Sequence, residues 1–414
     1  MKRTLAVIAW TVLASLLLGF PEGSTAQQGP IKIGGAWPLT GVVAASGKDM
    51  LNGFELYLEQ VNRTMSDRRV EFVMEDTAGI PANTLTKVRK LVERDRVHVL
   101  IVGLLATEGY AVRDYVTRFR AITLLPVVAA DDLTQRLRTP YMIRTGWASS
   151  QPSHPFAHYV YHKLGYRKIA AIADDYAFGY EVVGGFQKAF EDLGGCIVQK
   201  VWNPLGTPDF GPYLSQLRRD VDAIFALEVG ADAIRFMKQY QEFGLKERLP
   251  LVGGGVLTDE SLLRSMGDEA IGVITALQWS AALNTTAARR FVEAYKQRFG
   301  TDPSYYAETL YTTGRWLDIA IRRIGGRVED KQAFLNALRK VEIFDAPRGP
   351  VRLDAYQNPI HNIYVRQVQK VGGKLQNTVI FTYPNVSQFW TYNPEEFLKQ
   401  PVYSRDFPAL KRCP

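Results

Sequence analysis

The sequence predicts an α/β protein of two lobes, each with a parallel β-sheet covered by helices on both faces. Strand and helix patterns alternate from Ile31 onwards, and the alternation restarts after residues 143–145. The strand segments are short and apolar on both faces, as in residues 99–102, which is typical of parallel strands buried between helices. A chain of 414 residues with 46% hydrophobic side chains is long enough for two cores of ordinary size.

The first half of the chain contains four predicted strands, three of them followed by a helix pattern. We place these strands at residues 31–37, 70–74, 99–102 and 121–125. Leu51, Phe54, Leu58 and Val61 share one face of the helix after the first strand. Pro81 suits the first turn of the second helix, because its missing N–H would have no partner there.

The end of the third strand is a candidate ligand site. Thr107 suits the N-cap of a helix that continues through Tyr110 and Tyr115. The first N–H groups of a helix lack partners inside it and favour an anion, most often a carboxylate or phosphate. An ordinary capped loop has the same pattern, so this position needs support from elsewhere in the chain.

The second half repeats the alternation and then becomes helical. Its predicted strands are residues 169–173, 196–201, 223–227 and 249–252, the last stopped by the run Gly253-Gly254-Gly255. Helices follow at residues 287–298, 305–324 and 331–338, before a β-rich segment at 351–381. The tail after Asn393 is rich in proline and aromatic residues without a clear period, and we expect it to lie along a lobe surface.

The N-terminus has the pattern of a secretory signal peptide. Lys2 and Arg3 precede an apolar stretch at residues 5–20, and Ser24-Thr25-Ala26 offers small residues for a signal peptidase. The alternative is a membrane anchor, but glycine and proline interrupt the run too early for a comfortable span. We therefore expect a mature chain that starts near Gln27 and is soluble outside the cytoplasm.

Composition excludes several classes of function. The net charge of +8 is spread along the chain, whereas a nucleic-acid partner needs a basic patch. The chain has no GxGxxG, GxxxxGK[ST] or GxSxG motif, so we expect no cofactor and no enzymatic activity. Cys196 and Cys413 are the only cysteines and cannot form a thiolate metal cluster. They could pair with each other in an oxidising compartment, which the sequence leaves open.

Two polar motifs have alternative explanations. His154, His158 and His162 are spaced four residues apart on a predicted helix, as in a metal site or a solvated, pH-sensitive face. We favour the solvated face, because each four-residue step drifts by about 40° around the helix and no cysteine lies nearby. Asp174-Asp175 could be an acid/base pair, but adjacent residues at a strand end more often cap the next helix.

Ligands of open parallel sheets bind beyond the carboxyl ends of the strands. Two such sheets facing each other would bring six strand-end positions around one cleft: Thr40, Thr107, Ala129, Phe178, Val229 and Gly255. Trp37, Tyr110 and Tyr176 lie near the same strand ends and could stack on a ligand or fill the core.

A series of short motifs runs along the chain in a characteristic order. They are Pro38-Leu39-Thr40-Gly41, Glu75-Asp76 with Pro81, Leu133-Thr134, Ile143-Arg144-Thr145, Phe178-Gly179, Asp209-Phe210, Gly267-Asp268 with Gly272, Asp302-Pro303-Ser304, Tyr311 and Gly349-Pro350. With these motifs the chain resembles, from residue 31 to 370, the periplasmic binding proteins for leucine, isoleucine and valine, which are soluble components of ABC importers. Each motif is unspecific alone, and their joint order carries the resemblance.

The resemblance implies the type I periplasmic binding fold, in which two Rossmann-like lobes joined by three hinge strands close on a ligand like a Venus flytrap. Lobe one would comprise residues 27–145 and 276–345, and lobe two residues 146–275 and 346–395, with 1–26 as signal peptide and 396–414 as tail. The partners would be a small-molecule ligand and the membrane permease subunits of an ABC transporter, and we expect a monomer that performs no chemistry on its ligand.

The resemblance also assigns the ligand site. Thr107 stands where amino-acid-binding members hold the ligand carboxylate with a serine. The threonine that helps to hold the α-amino group is replaced by Ala129, and its acidic partner by Gly255. Cleft tyrosines are replaced by three other residues, Ser46, Phe178 and Val229. The expected ligand-binding residues are Trp37, Ser46, Thr107, Tyr110, Val127, Ala129, Phe178, Val229 and Gly255.

An ammonium buried without a carboxylate partner is strongly disfavoured. We therefore predict a small carboxylate that lacks a free α-amino group and has an aromatic or otherwise apolar body. The alternative is a branched-chain amino acid or amide, with Glu228 or Glu108 replacing the missing partner of the ammonium. A further alternative is a soluble ligand sensor.

Overall fold

Two β-sheets form the framework of the protein. The computed structural model describes residues 29–413, so the predicted signal peptide and the start near Gln27 lie outside the described residues. Among the described residues, no helix combines the length and the apolar character that crossing a bilayer requires.

The first sheet has six strands in the order β2-β3-β1-β4-β5-β6. Its strands are β1 (Ile31–Trp37), β2 (Thr64–Met65), β3 (Arg68–Asp76), β4 (Val99–Val102), β5 (Thr123–Leu125) and β6 (Met142–Arg144). All neighbours pair in parallel except the short edge strand β2, which is antiparallel to β3.

The second sheet has nine strands in the order β12-β13-β14-β11-β10-β9-β7-β8, with β15 paired to β14. Its strands are β7 (Lys168–Asp174), β8 (Cys196–Asn203), β9 (Ala223–Leu227), β10 (Leu251–Gly254), β11 (Ile274–Leu277), β12 (Glu342–Ile343), β13 (Val351–Leu353), β14 (Pro359–Val371) and β15 (Lys374–Val386). Strands β7 to β11 are parallel, whereas β14 pairs antiparallel with β11, β13 and β15.

Helices cover both sheets. They are α1 (Ala44–Gln60), α2 (Pro81–Glu93), α3 (Ala106–Arg118), α4 (Ser153–His162), α5 (Ala177–Asp192), α6 (Gly211–Ser215), α7 (Ala231–Glu242), α8 (Glu260–Leu263), α9 (Thr286–Phe299), α10 (Tyr305–Arg323), α11 (Lys331–Arg339) and α12 (Pro394–Lys399). Helix α10 follows the second sheet in sequence but packs along α1 of the first. The molecule has two sides, one built around each sheet. The chain passes between them three times, after β6, after β11 and between α11 and β12.

The predicted α/β class with parallel sheets is confirmed, and β4 and β9 have the predicted bounds. The second sheet differs in being mixed, because the β-rich segment after residue 351 adds antiparallel strands to its edge. Pro81 occupies the first turn of α2 as expected. The limits of the two lobes stay a prediction.

Two of the local predictions that were wrong concern the ends of elements. Helix α3 begins at Ala106 with Leu105 as its N-cap, so Thr107 is the second helical residue. The cause is the Glu108 carboxylate, which accepts hydrogen bonds from the amides of Leu104 (2.8 Å) and Leu105 (2.9 Å). Gly253 lies inside β10 and does not end it; a Cβ there would lie 2.1 Å from the Ala226 carbonyl oxygen, so the neighbouring strand requires a glycine.

Asp174 and Asp175 do not cap α5, whose N-cap is Tyr176 without a side-chain bond. Asp174 Oδ2 instead accepts the amide of Val229 at 2.9 Å, which ties β7 to the end of β9. Asp175 Oδ2 accepts from the Arg405 guanidinium of the tail at 3.1 Å.

The tail and the residues just before it cover the face of α4 that we expected to be solvated. His154 is fully buried, with Tyr403 Oη at 3.5 Å from its Nε2 and the ring of Tyr392 edge-on at 5.5 Å. His158 Nε2 accepts the indole N–H of Trp390 at 3.1 Å. The described residues contain no group of three or more His, Cys, Asp or Glu side chains arranged to hold a metal ion.

The two cysteines are bonded to each other. Cys196, the first residue of β8, forms a disulfide with Cys413, and their Cα atoms are 5.8 Å apart. This bond attaches the end of the tail to the second sheet, so the pairing that the sequence left open is present.

Candidate functional site

The carboxyl ends of strands from both sheets meet around a closed cleft. Residues directly after β4, β5, β7 and β9 line a small void, which we call the first void. Its lining residues are Leu104, Ala106, Val127, Ala129, Trp147, Tyr176, Phe178, Val229, Tyr305 and Tyr306. The first void has a volume of about 10 Å³, which is room for about one water molecule.

A second void of about 10 Å³ lies next to the first. It is lined by Trp147, Ser149, Pro152, Ser153, Phe156, Phe178, Val182, Leu227, Gly253, Gly254, Gly255 and Ala276. Trp147 and Phe178 line both voids and pack edge to face, with ring centroids 5.6 Å apart. Because only this aromatic pair is common to both linings, its displacement would join the voids into one site.

The structure brings together five of the nine predicted ligand-binding residues. Val127, Ala129 and Val229 line the first void, Gly255 lines the second, and Phe178 lines both.

The other four predicted residues, and Thr40, do not line either void. Trp37 is fully buried, and its indole N–H donates to the Gly47 carbonyl at 3.1 Å, so it is a core residue. Ser46 Oγ lies 3.4 Å from Ser261 Oγ, and Tyr110 Oη donates to Glu181 Oε1 at 3.1 Å. Thr40 Oγ1 donates to Asp76 at 2.8 Å. Thr107 is half-buried beside Ala106.

Trp147, Tyr305 and Tyr306 line the cleft but were missed as site residues. Trp147 follows the motif at residues 143–145, and the two tyrosines directly follow the motif at residues 302–304. Both motifs served only to identify the family resemblance. The aromatic residues beside them were the available signal. Trp147 lies three residues after β6, where the chain first passes to the second sheet, and Tyr305 and Tyr306 begin α10.

Trp147 contributes an unused hydrogen-bond donor to the cleft. Its side chain is 2% exposed, and its indole N–H has no partner among the described residues. An unsatisfied buried donor costs about 1–3 kcal/mol. Burial also raises the pKa values of Tyr176 and Tyr305 well above their usual range, so both phenols stay neutral and able to donate. The site is therefore apolar with a few donors.

The start of α3 supplies further donors at the edge of the first void. The amides of Ala106 and Thr107 are the first two of the helix and have no intrahelical acceptor. Neither amide, nor the Thr107 hydroxyl, has a hydrogen bond to another described residue outside the helix. Together they form a set of donors suited to a carboxylate.

Glu108 lies next to these donors, but its hydrogen-bonding capacity is already used. One carboxylate oxygen accepts from the amides of Leu104 and Leu105, and the other accepts from the hydroxyls of Thr77 and Thr84. A carboxylate has about four acceptor sites, so Glu108 has none left for a ligand ammonium.

Glu228 is also unsuited to hold an ammonium. It is fully buried, does not line either void, and its Oε2 accepts from the Asn203 side chain at 2.9 Å. Burial, and next the charge of neighbouring Asp174, raise the pKa of Glu228 well above its usual range. This shift disfavours the charged form of Glu228 that a ligand ammonium would need.

Contacts across the cleft hold it closed. Asp49 of α1 forms an ion pair with Arg264, the residue after α8, at 2.5 Å. Near this ion pair, Ser46 of α1 contacts Ser261 of α8, and the amide of Tyr305 donates to Asp259 at 3.1 Å. A ligand larger than water can enter only if these contacts separate.

Comparisons with known proteins identify the family. The family model described as "Periplasmic binding protein" matches residues 30–374. The chain is 29% identical over 386 residues to "Leu/Ile/Val-binding protein homolog 6" of Brucella melitensis, covering 91% of this chain and 96% of that protein.

Two solved structures show the same fold. An ABC transporter substrate-binding protein from Sphaerobacter thermophilus superposes with a TM-score of 0.82 at 37% identity, over 87% of this chain and 99% of that chain. A solute-binding protein of an ABC transporter from Rhodopseudomonas palustris BisB5, solved with 3,4-dihydroxybenzoic acid, has a TM-score of 0.82 at 31% identity, over 87% and 98% of the two chains.

The family match, the relatives and the two facing sheets agree with each other, and the members of this family are binding proteins, not enzymes. The chain belongs to the periplasmic binding proteins of the leucine/isoleucine/valine type, the substrate-binding components of ABC transporters.

Proposed function

We propose that this protein binds a small carboxylate without a free α-amino group and delivers it from the periplasm to the permease subunits of an ABC importer. The observation that supports this ligand class is the lining of the two voids, which contains no charged side chain among the described residues. An α-ammonium enclosed there would have no counter-charge and would lose several kcal/mol of hydration.

The carboxylate would bind at the start of α3. The amides of Ala106 and Thr107 and the Thr107 hydroxyl are the donors without partners at that end of the cleft. The partial positive charge of a helix N-terminus favours an anion by about 0.3–1 kcal/mol.

The apolar part of the ligand would occupy the two voids after the lobes open and close again. Trp147, Phe178 and Val229 offer apolar surface, and the Trp147 N–H and the Tyr305 phenol can bond a polar substituent on the ligand. This lining suits an aromatic acid. In agreement with this, the Rhodopseudomonas palustris relative was solved with 3,4-dihydroxybenzoic acid.

A thermal-unfolding panel tests the ligand class. The panel holds benzoate, 4-hydroxybenzoate, cinnamate, 4-methylpentanoate, L-leucine and L-valine. A ligand at about 100 times its dissociation constant adds roughly 2.7 kcal/mol, which shifts the melting temperature by several degrees. We expect shifts with the amino-free acids only. A shift with leucine or valine alone would contradict the proposal.

The substitution Thr107→Val tests the position of the carboxylate. It keeps the side-chain shape and removes the hydroxyl, so we expect the affinity for the active acid to fall about ten- to a hundredfold, as for the loss of one hydrogen bond to a charged group. Thr117→Val at the other end of α3 is the matched control, because its hydroxyl bonds the Arg113 carbonyl at 2.7 Å. Equal affinities of the two variants would exclude a hydrogen bond from the Thr107 hydroxyl to the ligand carboxylate.

The alternative ligand is a branched-chain amino acid, as the name of the Brucella relative suggests. It would require Glu228 to turn into the cleft and become ionised. A function as a soluble ligand sensor would use the same site and would be detected as ligand binding without transport.

A further inference from the structure

Three loops of the first sheet share one sequence pattern, arginine–x–arginine. They are residues 94–96 before β4, residues 118–120 before β5 and residues 136–138 before β6. Because β4, β5 and β6 are parallel neighbours, their amino ends lie together at the edge of the sheet opposite to the cleft. The fold therefore gathers on one surface several charges that are spread along the sequence. We call these three loops the arginine surface.

Contacts between the helices and loops show that the three loops adjoin each other. The rings of Tyr115 and Phe119 lie 4.4 Å apart at the end of α3, and Tyr115 Oη donates to Glu93 at the end of α2 at 2.8 Å. The Arg113 guanidinium of α3 donates to the Leu137 carbonyl at 3.1 Å. The arginine surface is therefore continuous.

Most arginines of this surface are exposed and have no ion pair among the described residues. They are Arg94, Arg96, Arg118, Arg120 and Arg138. Arg136 points away and donates to carbonyls of the tail. Of the acidic residues nearby, Asp95 pairs with Lys90 at 3.0 Å. Asp114 pairs with Arg113 at 2.6 Å. The arginine surface therefore has a net positive charge that is available to an outside partner.

Two apolar side chains are exposed between these arginines. Phe119 is 44% exposed and Leu137 is 38% exposed, and each is the middle residue of its loop. The guanidinium carbon of Arg118 lies 5.8 Å from the centre of the Phe119 ring. Exposed apolar groups flanked by cations are typical of proteins that bind anionic bilayers, because the cations contact headgroup phosphates while the apolar groups enter the acyl boundary.

The first strand begins beside the same surface. Lys32, the second residue of β1, donates through Nζ to the Asp95 carbonyl at 3.4 Å, and its amide donates to His98 Nδ1 at 2.9 Å. The apolar stretch at residues 5–20, which we expect to direct secretion, is therefore joined to the fold at this edge. The arginine surface is thus close to the point where the chain of the precursor would enter the membrane.

We propose that the arginine surface binds the anionic headgroups of a lipid bilayer, with Phe119 and Leu137 entering the boundary between headgroups and acyl chains. The cleft lies at the opposite edge of the first sheet and stays clear of the bilayer in this orientation. Binding at the arginine surface would keep the protein close to the membrane while the cleft captures its ligand. This surface is separate from the cleft and needs no ligand.

Co-sedimentation of the mature protein with vesicles tests this surface. The vesicles contain equal parts of phosphatidylglycerol and phosphatidylcholine, and vesicles of pure phosphatidylcholine are the neutral control. We expect binding to the anionic vesicles at low salt, at least tenfold weaker binding to the neutral vesicles, and a loss of binding as salt screens the charges. Absence of binding to the anionic vesicles, or equal binding to both kinds, would overturn the proposal.

Two double variants locate the bound surface. Arg94→Gln with Arg96→Gln, and Arg118→Gln with Arg120→Gln, each remove two positive charges. An arginine close to an anionic bilayer contributes about fivefold to the affinity. We therefore expect each double variant to bind the anionic vesicles at least tenfold more weakly than the wild type.

The matched control is the double variant Arg248→Gln, Arg290→Gln, which lowers the net charge by the same amount. Both of these arginines are exposed, have no ion pair among the described residues and lie outside the arginine surface. We expect its affinity for the vesicles to change less than threefold. Equal affinities of all three double variants would contradict the proposal.

Phe119→Ser distinguishes a lipid bilayer from a soluble polyanion. It removes the exposed ring and keeps every arginine, so we expect vesicle binding to fall about threefold or more and binding to heparin to be unchanged. Unchanged vesicle binding in this variant, with heparin binding weakened in the arginine variants, would assign the surface to a polyanion and overturn the bilayer. The melting temperature of each variant is measured in parallel, and Leu137→Ser replaces Phe119→Ser if the latter unfolds. Because no cleft ligand is present, the result is independent of the function proposed for the cleft.

Discussion

At the scale of single residues, the indole of Trp147 is the group in the cleft with the clearest need for a ligand. Trp147→Phe keeps an aromatic ring between the two voids and removes the unpartnered N–H. We expect the affinity for the active acid to fall about three- to tenfold, as for one hydrogen bond of about 1 kcal/mol. Calorimetric titration measures this change.

Trp316→Phe is the control for this substitution. Trp316 is fully buried in α10, and its N–H donates to the Leu338 carbonyl at 2.9 Å, far from the cleft. We expect that control to lower the melting temperature and to keep the affinity. Unchanged affinity in Trp147→Phe would show that the indole does not contact the ligand.

His154 makes the stability of the protein depend on pH. Burial under the tail lowers its pKa to about 3, from about 6.5 in the unfolded chain. Because protonation is harder in the folded state, the contribution of His154 is fully present above pH 6.5 and is lost as pH falls towards 3. Within this range, each unit by which the pH falls lowers the free energy of unfolding by about 1.4 kcal/mol.

The variant His154→Phe isolates this effect. We expect the wild type to lose about 2 kcal/mol more stability than the variant between pH 7 and pH 5, as measured by urea unfolding. The raised pKa values of Asp131 and Glu181 make the protein more stable as pH falls, which is opposite to the effect of His154. Both carboxyls are present in the wild type and in His154→Phe, so their effect cancels when the two proteins are compared. His162→Gln, at the exposed end of α4, is expected to match the wild type. Equal losses in wild type and His154→Phe would refute this assignment.

At the scale of elements, the tail connects both sides of the molecule. Arg136 donates to the carbonyls of residues 397, 398 and 400, and Gln187 of α5 donates to the Ala409 carbonyl at 3.1 Å. The disulfide joins residues 217 positions apart, for which chain entropy gives at most roughly 5 kcal/mol.

The double variant Cys196→Ser, Cys413→Ser tests the disulfide. We expect a lower melting temperature and trypsin cleavage after Arg405 and Lys411, whose side chains pair with Asp175 and Glu191 in the intact protein. The oxidised wild type should resist cleavage at both sites. Identical melting and identical digestion patterns would mean that the tail is held without the disulfide.

The elements of this fold were predictable where a local pattern decides them. Strands β4 and β9 are apolar on both faces and were placed to the residue. The start of α3 was not predicted correctly, because it is set by the Glu108 carboxylate, which accepts a hydrogen bond from the Leu105 amide. The burial of His154 was not predictable either, since the tail that covers it has no periodic pattern. Five of the predicted ligand-binding residues lie in the cleft lining because they follow strand ends, whereas Tyr305 arrives there from α10 through long-range packing.

At the scale of the whole molecule, the Asp49–Arg264 ion pair joins the two sides of the closed cleft. Asp49→Asn and Arg264→Gln each favour the open form, so we expect each to lower the affinity for the active acid about three- to tenfold. We expect the double variant to have the same affinity as the single variants, because both substitutions break one ion pair. Small-angle scattering without ligand should show a larger radius of gyration.

Arg298→Gln is the matched control for the ion pair. Arg298 of α9 pairs at 3.0 Å with Glu59, which lies on α1 like Asp49. Because α9 and α1 belong to the same side of the molecule, this ion pair does not cross the cleft. We expect the affinity of this control to be unchanged. Independent, additive effects of Asp49→Asn and Arg264→Gln would show that the pair does not control closure.

In the proposed function, the cleft holds a carboxylate and has no partner for an α-ammonium. The most direct measurement is calorimetric titration with two matched pairs of ligands that differ only in the amino group, phenylacetate with L-phenylglycine and 4-methylpentanoate with L-leucine. We expect the amino-free member of at least one pair to bind at least 100-fold more tightly than its amino acid. Tighter binding of L-leucine than of 4-methylpentanoate would contradict it and would assign the ammonium to Glu228.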